Sequence, residues 1–265
     1  MRKMNVGGRW FGAVVSSVAI CLLALPVQAQ GAAEEWRYEL TPYLFAAGIE
    51  GTVGVRGVAV QADIGFSDLL ENLDSGFMGL FEARKGRWTF GLDVLYTKVE
   101  VNGTRAWEGP LGGGTAALDT SFTTQIYQPF VGYRMLDESV KLDLIGGARY
   151  TKLDIKADLS TVTGPALLPD GSRGVSGSES WWDPIVGVRL AAPIADRWTF
   201  VGYADVGGGG DTDVTYQFVA GVNWEISKQY SAKLGYRYLS QDYEKGGLRW
   251  DVALQGVYLG LGIRF

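Results

Sequence analysis

The C-terminal stretch "VYLGLGIRF" (257–265) decides the fold class. Apolar side chains occupy every second position in it: Val257, Leu259, Leu261, Ile263 and Phe265. The positions between them hold tyrosine, glycine and arginine. A period of two is typical of a β-strand with one apolar face and one small or polar face. Because chain ends usually fray in water, an ending this apolar predicts an ordered strand whose apolar face contacts lipid.

The same alternation recurs along the chain. In "RWTFGLDVLYTK" (87–98), the aromatic and aliphatic residues from Trp88 to Tyr96 share one face. The pattern predicts strands over residues 36–49, 76–85, 88–101, 120–136, 140–156, 179–194, 198–208, 213–226, 230–240 and 249–265. We therefore expect an all-β fold, an antiparallel up-and-down transmembrane β-barrel of about ten strands, with eight or twelve strands as the alternatives.

Short and long connections alternate between these strands. The tight turns lie at 85–87, 137–139, 195–197 and 227–229, and the long links at 50–75, 102–119, 157–178 and 241–248, with a shorter link near 209–212. Outer-membrane barrels have short periplasmic turns and longer extracellular loops, and an even strand count leaves both ends on the periplasmic side. We predict that residues 30–265 form one such barrel domain.

The N-terminal segment predicts export. A basic start precedes the apolar run "FGAVVSSVAICLLAL" (11–25), which is short for a membrane span, and "VQA" (27–29) offers small residues for cleavage, so residues 1–29 are interpreted as a signal peptide. Their removal takes away three basic residues and the only cysteine, and the net charge goes from −5 to −8. The acidic balance argues against nucleic acid as a partner, and the expected location is the outer membrane of a Gram-negative bacterium.

Aromatic residues support the membrane interpretation. Several lie where strands begin or end at the short turns, and we predict that they form an aromatic girdle at the periplasmic interface: Trp36, Trp88, Trp198, Tyr230 and Phe265. The alternative is a soluble periplasmic carrier of the lipocalin kind, in which the apolar face is turned inward. That alternative predicts a charged outer surface.

Charged residues fall on the parity opposite to the apolar face. Glycine and arginine recur there as Gly-x-Arg, and acidic residues share the same parity. We predict a charge network in the lumen: Glu39, Glu82, Asp93, Arg134, Asp143, Arg149, Asp183, Arg189, Asp205, Glu225, Lys233, Arg237 and Arg264. Such charges must be paired, because an unpaired buried charge is very costly. The network is either a structural filling of the barrel or a selectivity filter for small charged solutes.

Two segments interrupt the simple pattern. Residues 52–66 are predicted to extend the barrel as a hairpin that turns at Arg56-Gly57, or to cross the membrane and raise the count to twelve. Residues 67–75 are predicted to form a short helix with Ser67 as N-cap, which either caps the rim or enters the mouth as a lid. In the last strand, Trp250, Val252 and Leu254 are apolar on the parity opposite to 257–265, which predicts a bulge near Gln255-Gly256.

The absence of histidine limits the chemistry. The chain contains no histidine, which excludes Ser–His hydrolases and Asp–His proteases of the omptin kind, and the predicted mature chain has no cysteine for a thiolate metal site. The glycine-rich stretches match neither the dinucleotide fingerprint nor the phosphate loop. We therefore expect no enzymatic activity, no catalytic residues, no cofactor and no metal.

The chain resembles small outer-membrane barrels in general, such as those of the OmpA and OmpW type, and a group of uncharacterised Gram-negative envelope proteins. The resemblance rests on "TPYLFAAGIEGTVGV" (41–55), "FSDLLENLD" (66–74), "FEARKGRW" (81–88) and "GLGIRF" (260–265). It implies the fold and the location. It also implies that Leu261, Ile263 and Phe265 form the C-terminal signature read by the barrel-assembly machinery.

Three functions are compatible with these observations. The first is a structural envelope protein or a narrow pore for small solutes. The second is a non-enzymatic surface barrel that uses acidic extracellular loops for binding or adhesion. The third is the soluble carrier. The expected partners are outer-membrane lipid and lipopolysaccharide, with the barrel-assembly machinery during biogenesis, while the oligomeric state is not indicated by the sequence.

Overall fold

The structure is a computed structural model that describes residues 35–55, 58–109, 112–163, 171–209 and 212–265. The predicted signal peptide, residues 1–29, lies outside this range. The elements are β1 (Arg37–Val55), β2 (Val58–Ile64), α1 (Phe66–Glu71), β3 (Leu73–Lys85), β4 (Trp88–Gly109), β5 (Gly112–Asp137), β6 (Lys141–Thr163), β7 (Gly171–Ala195), β8 (Trp198–Gly207), β9 (Thr212–Glu225), β10 (Tyr230–Lys245) and β11 (Leu248–Arg264).

The strands form a closed antiparallel barrel. Successive strands from β3 to β11 pair with each other, β3 also pairs with β1, and β1 pairs with β11. The extra strand β2 pairs with β1 alone, so that the barrel wall has ten strands. The predicted fold class is confirmed, and the count of twelve is excluded because β2 does not join β3.

The stagger of the barrel is read from the pairing. A path of paired residues that starts at Glu39 on β1 and passes once around the wall returns to β1 at Gly51, twelve residues further along. In a ten-stranded barrel, this shear corresponds to strands tilted by about 40° from the axis. Closure removes the exposed sheet edges that an open sheet would have, except at β2 and where β1 and β3 do not pair with each other.

The strands extend further than the sequence suggested. The segments 102–119 and 157–178, predicted as long loops, belong largely to strands, since β4 continues to Gly109 and β6 to Thr163. Their polar and glycine-rich composition hid the period of two, because strands beyond the membrane need no apolar outer face. The link 241–248 is likewise shorter than predicted, and its turn is made by Gly246 and Gly247 at φ of 65° and 84°.

The first long connection was predicted in part. The hairpin of β1 and β2 is confirmed, while its turn at Arg56-Gly57 lies outside the described residues. The helix is shorter than the predicted 67–75. It begins at Phe66, before the predicted cap Ser67, and ends at Glu71, because the chain returns to the sheet at Leu73.

The predicted bulge near Gln255-Gly256 is wrong. The register between β10 and β11 is continuous from Tyr230–Ile263 to Lys245–Leu248. Trp250, Val252 and Leu254 point into the barrel, where they are buried. The change of apolar parity therefore reflects a change in the lumen, which is apolar at this height, and not an irregular strand.

The outer surface is apolar between the two ends of the membrane-spanning part. Large apolar residues are exposed on most strands, among them Leu92, Leu144 and Leu259. The residues predicted for the girdle, Trp36, Trp88, Trp198, Tyr230 and Phe265, are exposed at the short-turn end. This surface contradicts the soluble carrier, whose apolar parity would face inward.

No helix in the described part of the chain is long and apolar enough to span a membrane.

Candidate functional site

The lumen holds a cavity of about 380 Å³ in the half that is next to the short turns. In outer-membrane barrels this is the periplasmic end. We call this cavity the vestibule. Side chains of both signs line it, among them Glu39, Glu82, Arg84, Asp143, Arg189 and Lys233. The lining therefore offers charge of either sign without a large net excess.

One side of the vestibule is formed by β1, β9, β10 and β11. Arg264 donates from Nε to Glu39 at 2.9 Å and from Nη1 to Glu225 at 3.1 Å. Lys233 donates to Glu39 and to the Thr41 hydroxyl. Since each strand supplies one charged side chain at this level, the pairs tie the two ends of the chain together at the closing seam of the barrel.

The other side is centred on Asp143 of β6. Its carboxylate accepts bonds from Arg134 and, at 3.0 Å, from Arg189, which also donates to Glu82 across the lumen. Arg134 donates as well to Asp137 at the end of β5 and holds the pKa of that carboxyl below its ordinary value. Four strands, β3, β5, β6 and β7, are joined by this cluster.

Above the vestibule, Arg149 of β6 is completely buried. Its Nη2 donates to both oxygens of Asp205, each at 2.8 Å, and its guanidinium also donates to Gln128 at 3.0 and 3.1 Å and to Thr215 at 2.6 Å. The Tyr203 hydroxyl donates to Asp205 at 2.6 Å. A buried ion pair is tolerated when further hydrogen bonds satisfy its remaining donors and acceptors, and the pair of Arg149 and Asp205 has such bonds.

The network continues to the opposite wall through Gln217. Its amide donates to Asp205 at 3.4 Å and its oxygen accepts from Arg237 at 2.7 and 3.0 Å. Arg237 in turn donates to Tyr43 at 2.9 Å and lies 3.0 Å from Asp93. We call this wall-to-wall layer the central network, with members Tyr43, Asp93, Gln128, Arg149, Tyr203, Asp205, Thr215, Gln217 and Arg237.

The lumen beyond the central network is mostly apolar, with a few buried polar side chains such as Thr151 and Gln241, which are hydrogen-bonded to each other at 2.7 Å. We call this region the apolar core; its buried members are Phe45, Ile49, Leu95, Ile126, Leu153, Trp181, Leu239, Tyr243, Leu248, Trp250, Val252 and Leu254. The rings of Trp181 and Tyr243 stack with centroids 4.1 Å apart, and those of Phe122 and Trp250 are 5.4 Å apart. Side chains thus fill the lumen at the extracellular half.

The predicted lumen charges all lie inside the barrel, and all except Asp183 form ion pairs. Asp183 faces Arg149 across the β6–β7 ladder, but its carboxylate accepts a bond from Thr212 instead, and its Oδ2 has no hydrogen-bond partner among the described residues.

Sequence reasoning missed the neutral members of the central network and Arg84 of the vestibule. The five neutral members have the inward parity of their strands, which is the signal that identifies them: Tyr43, Gln128, Tyr203, Thr215 and Gln217. The charge-based criterion did not include any of them. They connect the ion pairs into a continuous layer.

The arrangement offers little for catalysis. The carboxylates that face the lumen accept bonds from guanidinium, ammonium, hydroxyl or amide groups, and such partners favour the ionised form. Among the described residues, no group of three acidic, histidine or cysteine side chains is placed to hold a metal ion.

Comparisons with known proteins show the fold. No family model and no curated protein sequence matches the chain. Among solved structures, the outer-membrane protease OmpT from Escherichia coli is similar with a TM-score of 0.60 at 11% identity, over 90% of this chain and 99% of that chain. The attachment invasion locus protein Ail of Yersinia pestis matches at 14% identity and a TM-score of 0.34, over 88% and 99% of the two chains. With its apolar outer face, the chain is an outer-membrane β-barrel.

Proposed function

We propose that this protein is a non-enzymatic structural barrel of the outer membrane whose lumen is closed to solutes. The observation that carries the proposal is the double filling of the lumen, by the central network and then by the apolar core. Arg149 and Trp250, one from each layer, are both buried. A solute that crosses the barrel would have to displace both layers.

The energetic argument supports a lumen that is closed at rest. Passage through the central network would separate buried ion pairs, and leaving one partner of such a pair alone costs about 3–5 kcal/mol. Passage through the apolar core would bring water against buried aromatic and aliphatic side chains, which is unfavourable in proportion to the apolar area exposed. Together, the two layers oppose the passage of both charged and polar solutes.

The vestibule favours a second candidate, a narrow pore for small solutes. It is a charged chamber on one side of the membrane, and it would form half of a solute path if the apolar core moved aside. The paired state of its charges favours the structural role, since a filter needs charges that are free to exchange partners with the solute.

Single-channel recording in a planar bilayer tests the proposal. We expect the refolded wild-type barrel to insert without conductance steps. The variant that combines Trp181→Ala and Trp250→Ala with Arg149→Ala and Asp205→Ala, once heat-modifiability on gels has shown that it is folded, is expected to conduct because both layers are then opened. Stable steps in the wild type that change size in Arg237→Leu would overturn the closed barrel and favour the pore.

A further inference from the structure

The barrel wall has a gap on one side. Residues 37–42 of β1 pair with β3, and residues 49–55 pair with β2. Between them, residues 43–48, all described, pair with β11 alone. The facing residues 73–78 of β3 pair with β4 alone. We call the space between these two segments the side opening.

Local sequence explains where the side opening begins and ends. The last pair below it is Pro42 with Gly79, and proline has no N–H with which to continue a ladder. Above it, Ile64 pairs with Ile49 and the chain then enters α1. After α1, the Asn72 carbonyl accepts a bond from the Glu100 amide at 2.9 Å. The helix therefore crosses from the β1 side to the β3 side and bounds the opening from above.

An apolar cavity of about 80 Å³ lies behind the side opening. Its lining comes from both edges of the opening, with Phe45 and Ala47 on β1 and Met78 on β3. Further apolar side chains complete it: Ile49, Phe66, Leu73, Leu95, Val99, Phe122 and Leu254. The polar members are two threonines, Thr97 and Thr124. An ordered water needs two to four polar partners, so the cavity suits hydrocarbon better than water.

The side opening lies at the height of the outer membrane interface. Phe77 on its β3 edge pairs with Tyr96, which marks the extracellular end of the apolar band on β4. On the outer face of the two edges, Leu44 is 73% exposed and Phe77 is 61% exposed. The apolar surface is thus continuous from the lipid side, across both edges, into the cavity.

We propose that the side opening admits an acyl chain of an outer-leaflet lipid into this cavity. Three observations lead to this occupant: the missing strand pairing gives access, the lining is apolar, and the medium outside is lipid hydrocarbon. The site is separate from the vestibule and from the central network. It gives the barrel a lipid-binding role that goes beyond the structural function proposed above.

Photocrosslinking in native outer membranes tests the proposal. The chain has four methionines, of which Met78 lines the cavity and Met135 is exposed near the periplasmic turn after β5, while Met1 and Met4 fall in the predicted signal peptide. Cells grown with the diazirine analogue of methionine place a near-isosteric probe at Met78. After irradiation, mass spectrometry of the peptide that carries residue 78 is expected to show a lipid adduct.

Matched variants locate the adduct. Ala47→Leu fills the cavity from β1 and is expected to abolish the adduct on residue 78, whereas Ala46→Leu, which adds the same bulk on the lipid face of the same strand, is expected to leave it. Leu44→Met places a probe on the lipid-exposed edge as a positive control. Leu239→Met places one in the apolar core and is expected to remain without adduct.

Three outcomes would overturn the proposal. The first is no adduct on residue 78 in a preparation where Leu44→Met is labelled. The second is an adduct that persists in Ala47→Leu, or one of equal yield in Leu239→Met. The third is an adduct with the mass of a small apolar solute in place of a lipid. A rise in unfolding temperature for Ala47→Leu without any lipid adduct would indicate an empty cavity.

Discussion

At the scale of single residues, the central network depends on Arg149. Its guanidinium donates bonds to side chains from three other strands, β5, β8 and β9. Planar, always charged and able to donate in several directions at once, arginine suits a position where the acceptors converge in one plane. A lysine there would carry the charge but could not reach all the acceptors.

Replacement of Arg149 by methionine is expected to destabilise the barrel by about 3–5 kcal/mol, because Asp205 would stay buried without its cation. Urea unfolding in lipid vesicles, followed by tryptophan fluorescence, measures the change. The double variant Arg149→Met with Asp205→Asn is expected to regain part of the loss, since no charge is then left unpaired. Additive losses in the double variant would contradict a specific coupling between the two residues.

Asp242, on the extracellular part of β10, is expected to lower the free energy of unfolding of the barrel. It lies directly opposite Asp251 on β11, and like charges in such a pair are unfavourable. Partial burial, together with the carboxylates of Asp251 and Asp213, raises the pKa of Asp242 above its ordinary value. The folded chain therefore disfavours the ionised form.

The pH dependence of the variant Asp242→Asn follows from this direction. A raised pKa in the fold means that stability falls as the pH rises through the carboxyl range, so the penalty is complete at neutral pH and absent at acidic pH. We expect the asparagine variant to unfold at a higher temperature at neutral pH and at the wild-type temperature below the ordinary carboxyl pKa. A lower unfolding temperature at neutral pH would show that the carboxylate makes a favourable contact.

At the scale of elements, the last strand closes the barrel through its final residue. Phe265 and Tyr38 exchange two backbone hydrogen bonds of 3.1 Å, and their rings lie 5.8 Å apart. The backbone bonds belong to barrel closure, whereas the ring contributes the stacking and the predicted assembly signature. The two roles can be separated, because only the second depends on the side chain.

The variant Phe265→Ala keeps the backbone bonds and removes the ring. We expect the purified protein to fold with a stability loss of about 0.5–1.5 kcal/mol for the lost aromatic pair. The amount of folded barrel in outer membranes of living cells is expected to fall much further, if the assembly machinery recognises the terminal aromatic. Tyr230→Ala, which removes another exposed girdle ring, is the control. An equal fall in both variants would assign the effect to the girdle.

At the scale of the whole molecule, the barrel is divided into layers along its axis. The vestibule is charged, the central network is polar and paired, and the apolar core consists of aromatic and aliphatic side chains. The side opening breaks the wall beside the apolar core, where an extra hairpin and α1 occupy the place of a longer β3. The side chains that line the lumen thus change from charged to apolar along the barrel axis, while the outer surface is apolar where it contacts the membrane.

The orientation of the barrel predicts which surfaces are accessible in living cells. Ser176 lies exposed on the extended part of β7, and Lys228 lies in the turn between β9 and β10. Since the only native cysteine is at position 21, single variants Ser176→Cys and Lys228→Cys report one end each. A membrane-impermeant maleimide applied to intact cells is expected to label the first alone, and both after lysis. Labelling of Lys228→Cys on intact cells would show that the barrel has the opposite orientation.

Much of the fold could be predicted from local pattern. Strand positions near the membrane followed from the period of two, because lipid demands an unbroken apolar face there. The strand extensions beyond the membrane could not be predicted, since no solvent boundary imposes alternation on them. In the lumen, charged side chains such as Arg237 were predicted from their parity, whereas Gln217 and Tyr43 were not, because neutral polar residues carry no comparable signal.

The sequence by itself determined the class of fold, a strand count of about ten and most of the inward charges, because each depends on the two-residue repeat within single strands. Only the tertiary structure decided which charges form ion pairs and that Asp183 forms none among the described residues. It also decided that Trp250 and its neighbours form an apolar core inside the barrel. It also revealed the side opening beside Pro42. These features depend on contacts between strands far apart in the chain, and the shear of the closed barrel sets the heights at which those side chains meet.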